Sequence, residues 1–257
     1  MVRTSPVMID IHSHILWGLD DGAESLEESI AMLKLAAESG TTDIVATPHA
    51  NSRYHYQPDL IRQRIAEASA AVAGKPRIHR GCDFHLSYDN IQDAVENPAK
   101  YAVNDGYYIL VEFPDNLLAG MHRVLTTLLD CGLTPIMTHP ERHNQLKKIN
   151  QDFQEWIRMG CLVQVTAQSL LGRFGKSSQD SAWEMVRRGL VHFIASDAHD
   201  TADRPPRLDL AFEALAERIG QDGAELLCVD NPRAVLDGRR TQELDVPRLK
   251  PWYQFWK

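Results

Sequence analysis

The chain has 257 residues, enough for one large domain or two small ones, with a core that needs neither disulfides nor a structural zinc. A composition of 44% hydrophobic and 24% charged residues excludes a disordered, collagenous or fibrous chain. With 35 acidic against 27 basic residues, a net charge of −8 and no basic run, nucleic acid is not expected as a partner.

The N-terminus meets Asp10 before a signal-peptide core can form, and no apolar run reaches the roughly 18 residues that a membrane span needs, so the expectation is a cytoplasmic protein with no membrane insertion. Seven short, apolar, β-branched segments recur along the chain, separated by amphipathic stretches. The first, VMIDIHSH (7–14), is followed by the helical pattern SLEESIAMLKLAAES (25–39), which Gly40 stops. TDIVATPH (42–49) follows, then a helix opening after Pro58 with DLIRQRIAEASAAVAG, then RIHRGCDF (77–84) and YYILVEFP (107–114). NLLAGMHRVLTTLLDCG (116–132) precedes TPIMTHP (134–140), and INQDFQEWIRMG (149–160) precedes CLVQVTA (161–167). SAWEMVRRG (181–189) leads to VHFIASDAH (191–199), and LAFEALAERIG (210–220) closes the pattern. This alternation predicts an α/β protein with a parallel sheet, and without any linker or composition break it predicts a single domain over 1–257, a TIM-like βα barrel.

Function in such barrels sits at the C-terminal strand ends. Those ends carry His12 and His14, His49, Asp83, Glu112, His139, and Asp197 with His199. Residues two apart on a strand share a face, so His12 with His14, and Asp197 with His199, are each spaced to grip one ion. Asp21 of the following GLDDG loop brings the set to five histidines and four carboxylates, enough for three divalent ions. Nitrogen and oxygen ligands without thiolate favour Mn²⁺, Fe²⁺ or Zn²⁺ in a catalytic role. Paired ions of this kind activate water and stabilise phosphoryl oxygens, so phosphate-ester hydrolysis is the expected chemistry. His79 and His192 fall early in their strands, His55, His85, His122 and His143 in loops or helices, and these carry no such expectation. Cys82, Cys131, Cys161 and Cys228 form no C-x-x-C pair, and none has the arginine six positions on that a thiol-dependent phosphatase requires. The GRFGKS segment (172–177) fails the nucleotide-loop spacing, because Leu170 stands where the first glycine belongs.

The ordered set HSHIL, DDGA, TPH, VEFP, THPER, VTAQSLLGRFGK and SDAHDTADRPP resembles the PHP (polymerase and histidinol phosphatase) superfamily, and within it the bacterial manganese-dependent tyrosine phosphatases of capsule and exopolysaccharide systems. The resemblance implies a distorted (β/α)7 barrel with a trinuclear site. It assigns His12, His14 and Asp197 to one ion, Asp83 as a bridge to a second held by Glu112 and His139, and Asp21, His49 and His199 to the third. Arg142 and Arg204 are implied as phosphate-binding and catalytic groups. Trp17, Arg53, Tyr54 and Tyr56, which follow the first two strands, are expected to line the substrate entrance, with simple packing as the alternative for the aromatics. One position departs from the pattern: the usual G-x-E of the third strand is here Gly81, Cys82, Asp83, with Asp one methylene shorter. The implied substrate is phosphotyrosine in protein, on a bacterial tyrosine kinase of polysaccharide synthesis. A small-molecule phosphatase acting on histidinol phosphate would use the same nine ligands; a noncatalytic metal-binding regulatory domain, which arises when such modules lose ligands, is the other alternative, and the complete set argues against it. The C-terminal LKPWYQFWK (249–257) is expected to pack on the barrel or form a subunit contact, and oligomeric state is left open.

Overall fold

The computed structural model describes residues 7–116 and 120–245. The aromatic tail at 249–257 lies outside the described residues. Among the described residues nine strands run in chain order: β1 Met8–Ser13, β2 Thr41–Ala46, β3 His49–Ala50, β4 Arg77–Arg80, β5 Asp83–His85, β6 Tyr108–Glu112, β7 Thr134–Thr138, β8 Leu162–Thr166 and β9 Phe193–Ala195. All pairings between them are parallel, in the orders β1-β2-β4 and β3-β5-β6-β7-β8-β9. The His14 N–H donating to the Ala198 carbonyl and the Asp197 N–H donating to that of His12, both at 2.8 Å, join the last strand to the first. The result is the expected α/β barrel of seven staves.

Two staves are broken. The expected strand over 42–49 divides into β2 and β3, and that over 77–84 into β4 and β5. Pro48 has no N–H to continue a ladder, and the carbonyls of Ala46 and Pro48 are instead taken by the N–H groups of Gly81 and Asp83. Gly81 is required at this break because a Cβ there would lie 2.7 Å from Val45.

The interior is filled from alternating strand positions: Ile9, Ile11, Val45, Leu110, Ile136, Leu162, Phe193 and Ala195 form one buried cluster, closed by Val235. Each of these side chains larger than alanine is worth about 1.5–3 kcal/mol on burial. The opposite strand faces, with Ile109, Val111, Met137, Val163, Val165 and Ile194, pack into the surrounding helical layer. The helices that supply it include Leu26–Glu38, Pro58–Ala71, Met121–Asp130, Gln151–Arg158, Lys176–Arg187 and Asp209–Ile219, each within an expected segment or extending it. Ser25 caps the first of them by accepting from the Glu28 N–H. Helices at Tyr88–Glu96 and Asn231–Leu236 were not expected from the apolar spacing.

β1 contains a bulge that matters for the site. It advances three residues from Asp10 to Ser13 while β2 advances two, from Ile44 to Ala46. The extra residue lets Ile11 remain in the interior cluster while His12 also turns inward, its Nδ1 reaching Gln164 Oε1 at 3.0 Å.

Candidate active site

All nine expected ligands meet at the C-terminal rim. Among the described residues, four overlapping sets bring ligand atoms within 4.8 Å of one another: His12, His14 and Asp197; His14, Asp21, His49 and His199; His12, Asp83 and His139; and His49, Asp83 and Glu112. The first expected set is intact, and the third gains His14. The second is distributed differently: Asp83 belongs to two sets, as a bridge would, but pairs with His12 and His139 in one and with His49 and Glu112 in the other. Glu112 and His139 still approach to 3.9 Å. His85 joins none of the sets, its Nδ1 lying 3.6 Å from Glu112.

Local backbone explains how the ligands are aimed. His139 and Asp197 follow the ends of β7 and β9 with φ of 35° and 52°, left-handed values that cost a non-glycine residue on the order of 1–3 kcal/mol each. Gly22 allows the loop after β1 to fold back onto it: a Cβ there would stand 2.0 Å from the His14 carbonyl oxygen. This fold places Asp20 against the histidines. Its Oδ2 lies 2.7 Å from His14 Nδ1 and accepts from the His49 N–H at 3.0 Å, while Oδ1 accepts from the Gly22 N–H. Asp20 is thus the carboxylate that orients two ligands, and Gln164 does the same for His12. Sequence reasoning missed both; the adjacent Asp20 and Asp21 are indistinguishable by spacing, and only the pairing with His14 separates their roles.

Burial pushes the His12 and His14 imidazoles down, but nearby carboxylates more than offset it: Asp83 and Asp197 raise His12, and Asp20 and Asp197 raise His14 to about 9. His49 likewise reaches about 9, Asp83 overcoming its burial. Asp83 and Asp197 are held well below the usual carboxylate range against their own burial, His12 being the main cause in each. Burial, then Arg142, lowers His139 to about 4, and burial, then His14, lowers His199 to about 2. The carboxylates therefore demand positive charge from whatever adjoins them.

A divalent cation fits that demand. Asp83 is fully buried, and although its Oδ2 lies 3.2 Å from His49 Nδ1 and 3.5 Å from His12 Nε2, neither contact has hydrogen-bond geometry, so both its oxygens and the buried His49 Nδ1 lack a hydrogen-bond partner. A naked buried carboxylate is unfavourable by several kcal/mol. Cations ligated by Asp83 and by neutral imidazoles would remove that penalty.

Both expected arginines face the cluster. Arg142 Nη1 and Arg204 Nη2, the latter at 2.5 Å, donate to Asp197 Oδ2, while Asp197 Oδ1 lies 3.5 Å from the Nε2 atoms of His12 and His14. Asp197 thus divides its oxygens between arginines and ligands. Arg204 is set by Asp200, whose carboxylate accepts from the N–H groups of Ala202, Asp203 and Arg204. Tyr54 stacks on His49 with 6.1 Å between ring centroids, and Arg53 is exposed over the Tyr54 ring at 5.0 Å. Trp17 and Tyr56 do not line the entrance as expected. Trp17 is buried under Arg64, and the Tyr56 hydroxyl donates to the Gly81 carbonyl and accepts from Arg80, so both are packing residues. Burial pushes the Cys82, Cys161 and Cys228 thiols up, Cys161 to about 12, which leaves no thiolate among them at neutral pH.

A family model described as capsular polysaccharide synthesis, CpsB/CapC, matches residues 8–237. Tyrosine-protein phosphatase CpsB of Streptococcus pneumoniae is 32% identical over 239 residues, which cover 89% of this chain and 98% of that protein. Tyrosine-protein phosphatase YwqE of Bacillus subtilis (strain 168) is 31% identical over 220 residues, covering 84% and 86%. A crystal structure from the study of YwqE and CpsB, described as unique metal-dependent tyrosine phosphatases, superposes with a TM-score of 0.85 at 28% identity, covering 95% of this chain and 100% of that one. With nearly the whole barrel and every rim ligand inside the matched span, the chain belongs to the CpsB/CapC family of capsular polysaccharide synthesis.

Proposed function

We infer that this chain is a metal-dependent protein-tyrosine phosphatase of one domain, acting in the cytoplasm on the phosphotyrosine of a kinase of polysaccharide synthesis. Three divalent ions, Mn²⁺ first and Fe²⁺ or Zn²⁺ as alternatives, are its cofactors. The observation that carries this reading is the junction at Asp197, where a nine-residue cluster of histidines and carboxylates meets two arginines on one rim. Family membership supports it, since the relatives at about this identity are named tyrosine-protein phosphatases.

His12, His14 and Asp197 would hold one ion and Asp21, His49 and His199 another, while Asp83 would be shared between the group with His12 and His139 and the group with His49 and Glu112. When bound, such ions lower the pKa of a water molecule and offset the charge of the phosphoryl oxygens. The chain's own contribution is binding and orientation. Arg142 and Arg204 present fixed forks to a phosphate dianion, and Asp197 Oδ2 holds them in place until it arrives. Water supplies its oxygen to phosphorus, the bond from phosphorus to the phenolic oxygen breaks, and the tyrosine oxygen takes a proton. Tyr54, stacked beside His49 at the mouth, is placed to meet the substrate's aromatic ring.

The deciding experiment compares turnover of a phosphotyrosyl peptide with that of histidinol phosphate, with and without Mn²⁺, before and after thiol alkylation. Mn²⁺-dependent, alkylation-resistant preference for the peptide is expected. Preference for histidinol phosphate would replace the substrate, and no turnover of either would leave a metal-binding regulatory domain.

A further inference from the structure

Phe174 occupies the turn between the short helix Ala167–Leu170 and the helix beginning at Lys176, flanked by Gly172 and Gly175 with φ of 82° and 84°. Its ring is half-buried, and the Cζ atoms of Arg142 and Arg204 lie 4.3 Å and 5.7 Å from its centroid. Three successive strand-end loops therefore converge: Arg142 follows β7, Phe174 follows β8 and Arg204 follows β9. The turn is fastened from behind, Gln179 Nε2 donating to the Leu170 carbonyl at 3.0 Å, the Arg173 N–H to that of Gln168 at 3.0 Å, and Arg173 Nη1 to that of Ala202 at 3.4 Å.

We propose that Phe174 is a positioning residue of the phosphate-binding arginines alongside Asp197, a π platform that orients both guanidinium groups without adding negative charge. This rests on the reading of Arg142 and Arg204 as phosphate ligands. An arginine held by a second carboxylate would spend its charge on that partner; an aromatic face attracts the cation through its quadrupole and leaves the N–H donors free. Arg204 bears this out: its Nη2 engages Asp197, while its buried Nε has no hydrogen-bond partner, a donor held ready for an anion on a cation that no other carboxylate caps. The apolar ring also keeps water from one side of the pair, which strengthens their attraction to phosphate.

The test uses the Mn²⁺-loaded enzyme and its Phe174→Leu, Phe174→Ala and Phe174→Tyr variants, with inorganic phosphate as competitive inhibitor of a phosphotyrosyl-peptide assay. Phe174→Leu, which keeps the apolar volume and removes the π face, is expected to weaken phosphate inhibition about tenfold, with kcat/KM falling in parallel. Metal content and Tm should match the parent in Phe174→Leu, and Phe174→Tyr should restore phosphate affinity to within about twofold. Parental phosphate inhibition in Phe174→Leu overturns the proposal, as does a Phe174→Leu protein that loses metal together with phosphate, because the ring would then be holding the site and not the arginines. A parental enzyme that phosphate does not inhibit and that does not cleave the peptide overturns the phosphatase reading itself, and this inference with it.

Discussion

A carboxylate with no donor and no surface exposed to water, as at Asp83, must be neutralised by a cation, and its membership of two ligand sets places it where two cations would share it. Asp83→Ala is expected to lower metal stoichiometry by at least one ion and to abolish nearly all turnover, while Asp83→Glu, which keeps the carboxylate and adds one methylene, keeps substantial activity. His85→Ala, at a site that joins no set, should retain full metal; full metal in Asp83→Ala with loss in His85→Ala would reverse the assignment. Asp20 acts one step further out, fixing the His14 ring and the His49 backbone. Asp20→Asn keeps the shape but gives up the carboxylate charge, together with either both contacts of Oδ2, to His14 and His49, or the one that Oδ1 makes with the Gly22 N–H. Metal affinity by calorimetric titration should weaken about 10–100-fold with unchanged fold, and parental affinity would leave Asp20 a loop residue only. The rim ligands were legible because histidines and carboxylates recur at strand ends. Asp20, Gln164, Asp200 and Phe174 were not, because each acts by touching a side chain or loop whose position only the closed barrel fixes.

At the level of elements, period and stop signals located every stave, yet not the two breaks nor the bulge in β1. Those depend on pairing across strands: Pro48 and Gly81 are visible in the sequence, but that they fall within one position of each other across the pairing, between Ala46 opposite Arg80 and His49 opposite Asp83, is a matter of register. The helix Tyr88–Glu96 escaped because its apolar face is short, with Ala94 its one fully buried residue. The loop after β1 is the element on which the third metal set depends, since it carries Asp21 and is pressed against His14 through Gly22. Gly22→Ala would drive a methyl into the His14 carbonyl at 2.0 Å, so the loop must lift and take Asp20 and Asp21 with it. A loss of about 1–3 kcal/mol in stability and of at least one bound ion is expected. Gly18→Ala is the control: its φ of 65° makes alanine cost about 1–2 kcal/mol, but nothing lies within 4 Å of the added methyl, so metal binding should survive. Equal metal content in both variants would remove the loop's packing from the account of the site.

Over the whole molecule the barrel separates its two ends, with the charged cluster at the C-terminal rim, the apolar interior between, and another buried carboxylate, Asp43, near the strand starts. Asp43 accepts from Arg77 Nε and Nη2 at 2.9 Å and from Arg233 Nη2 at 2.7 Å, and its Oδ1 lies 2.9 Å from His79 Nε2, so one side chain ties β2 to β4 and to the helix Asn231–Leu236. Unlike Asp83, it is satisfied by the protein itself, which is why the same residue type reads as stability at one end and as chemistry at the other. Burial opposes its ionisation, but the hydrogen bonds from Arg77, Arg233 and His79 prevail and hold its carboxyl well below the usual range. A folded-state pKa below the unfolded value of about 3.9 means that the stability it contributes is complete above that pH and is lost as pH falls through the folded value. Asp43→Asn should therefore lower Tm at pH 7 by about 5 °C and remove part of the parent's loss of stability below about pH 4, leaving metal content at the far rim unchanged. Thermal melts of both proteins from pH 7 down to pH 3 check this. Equal Tm at pH 7 with the same acid slope would show that Asp43 contributes no net stability, and a drop in bound metal would show that the two ends of the barrel are coupled.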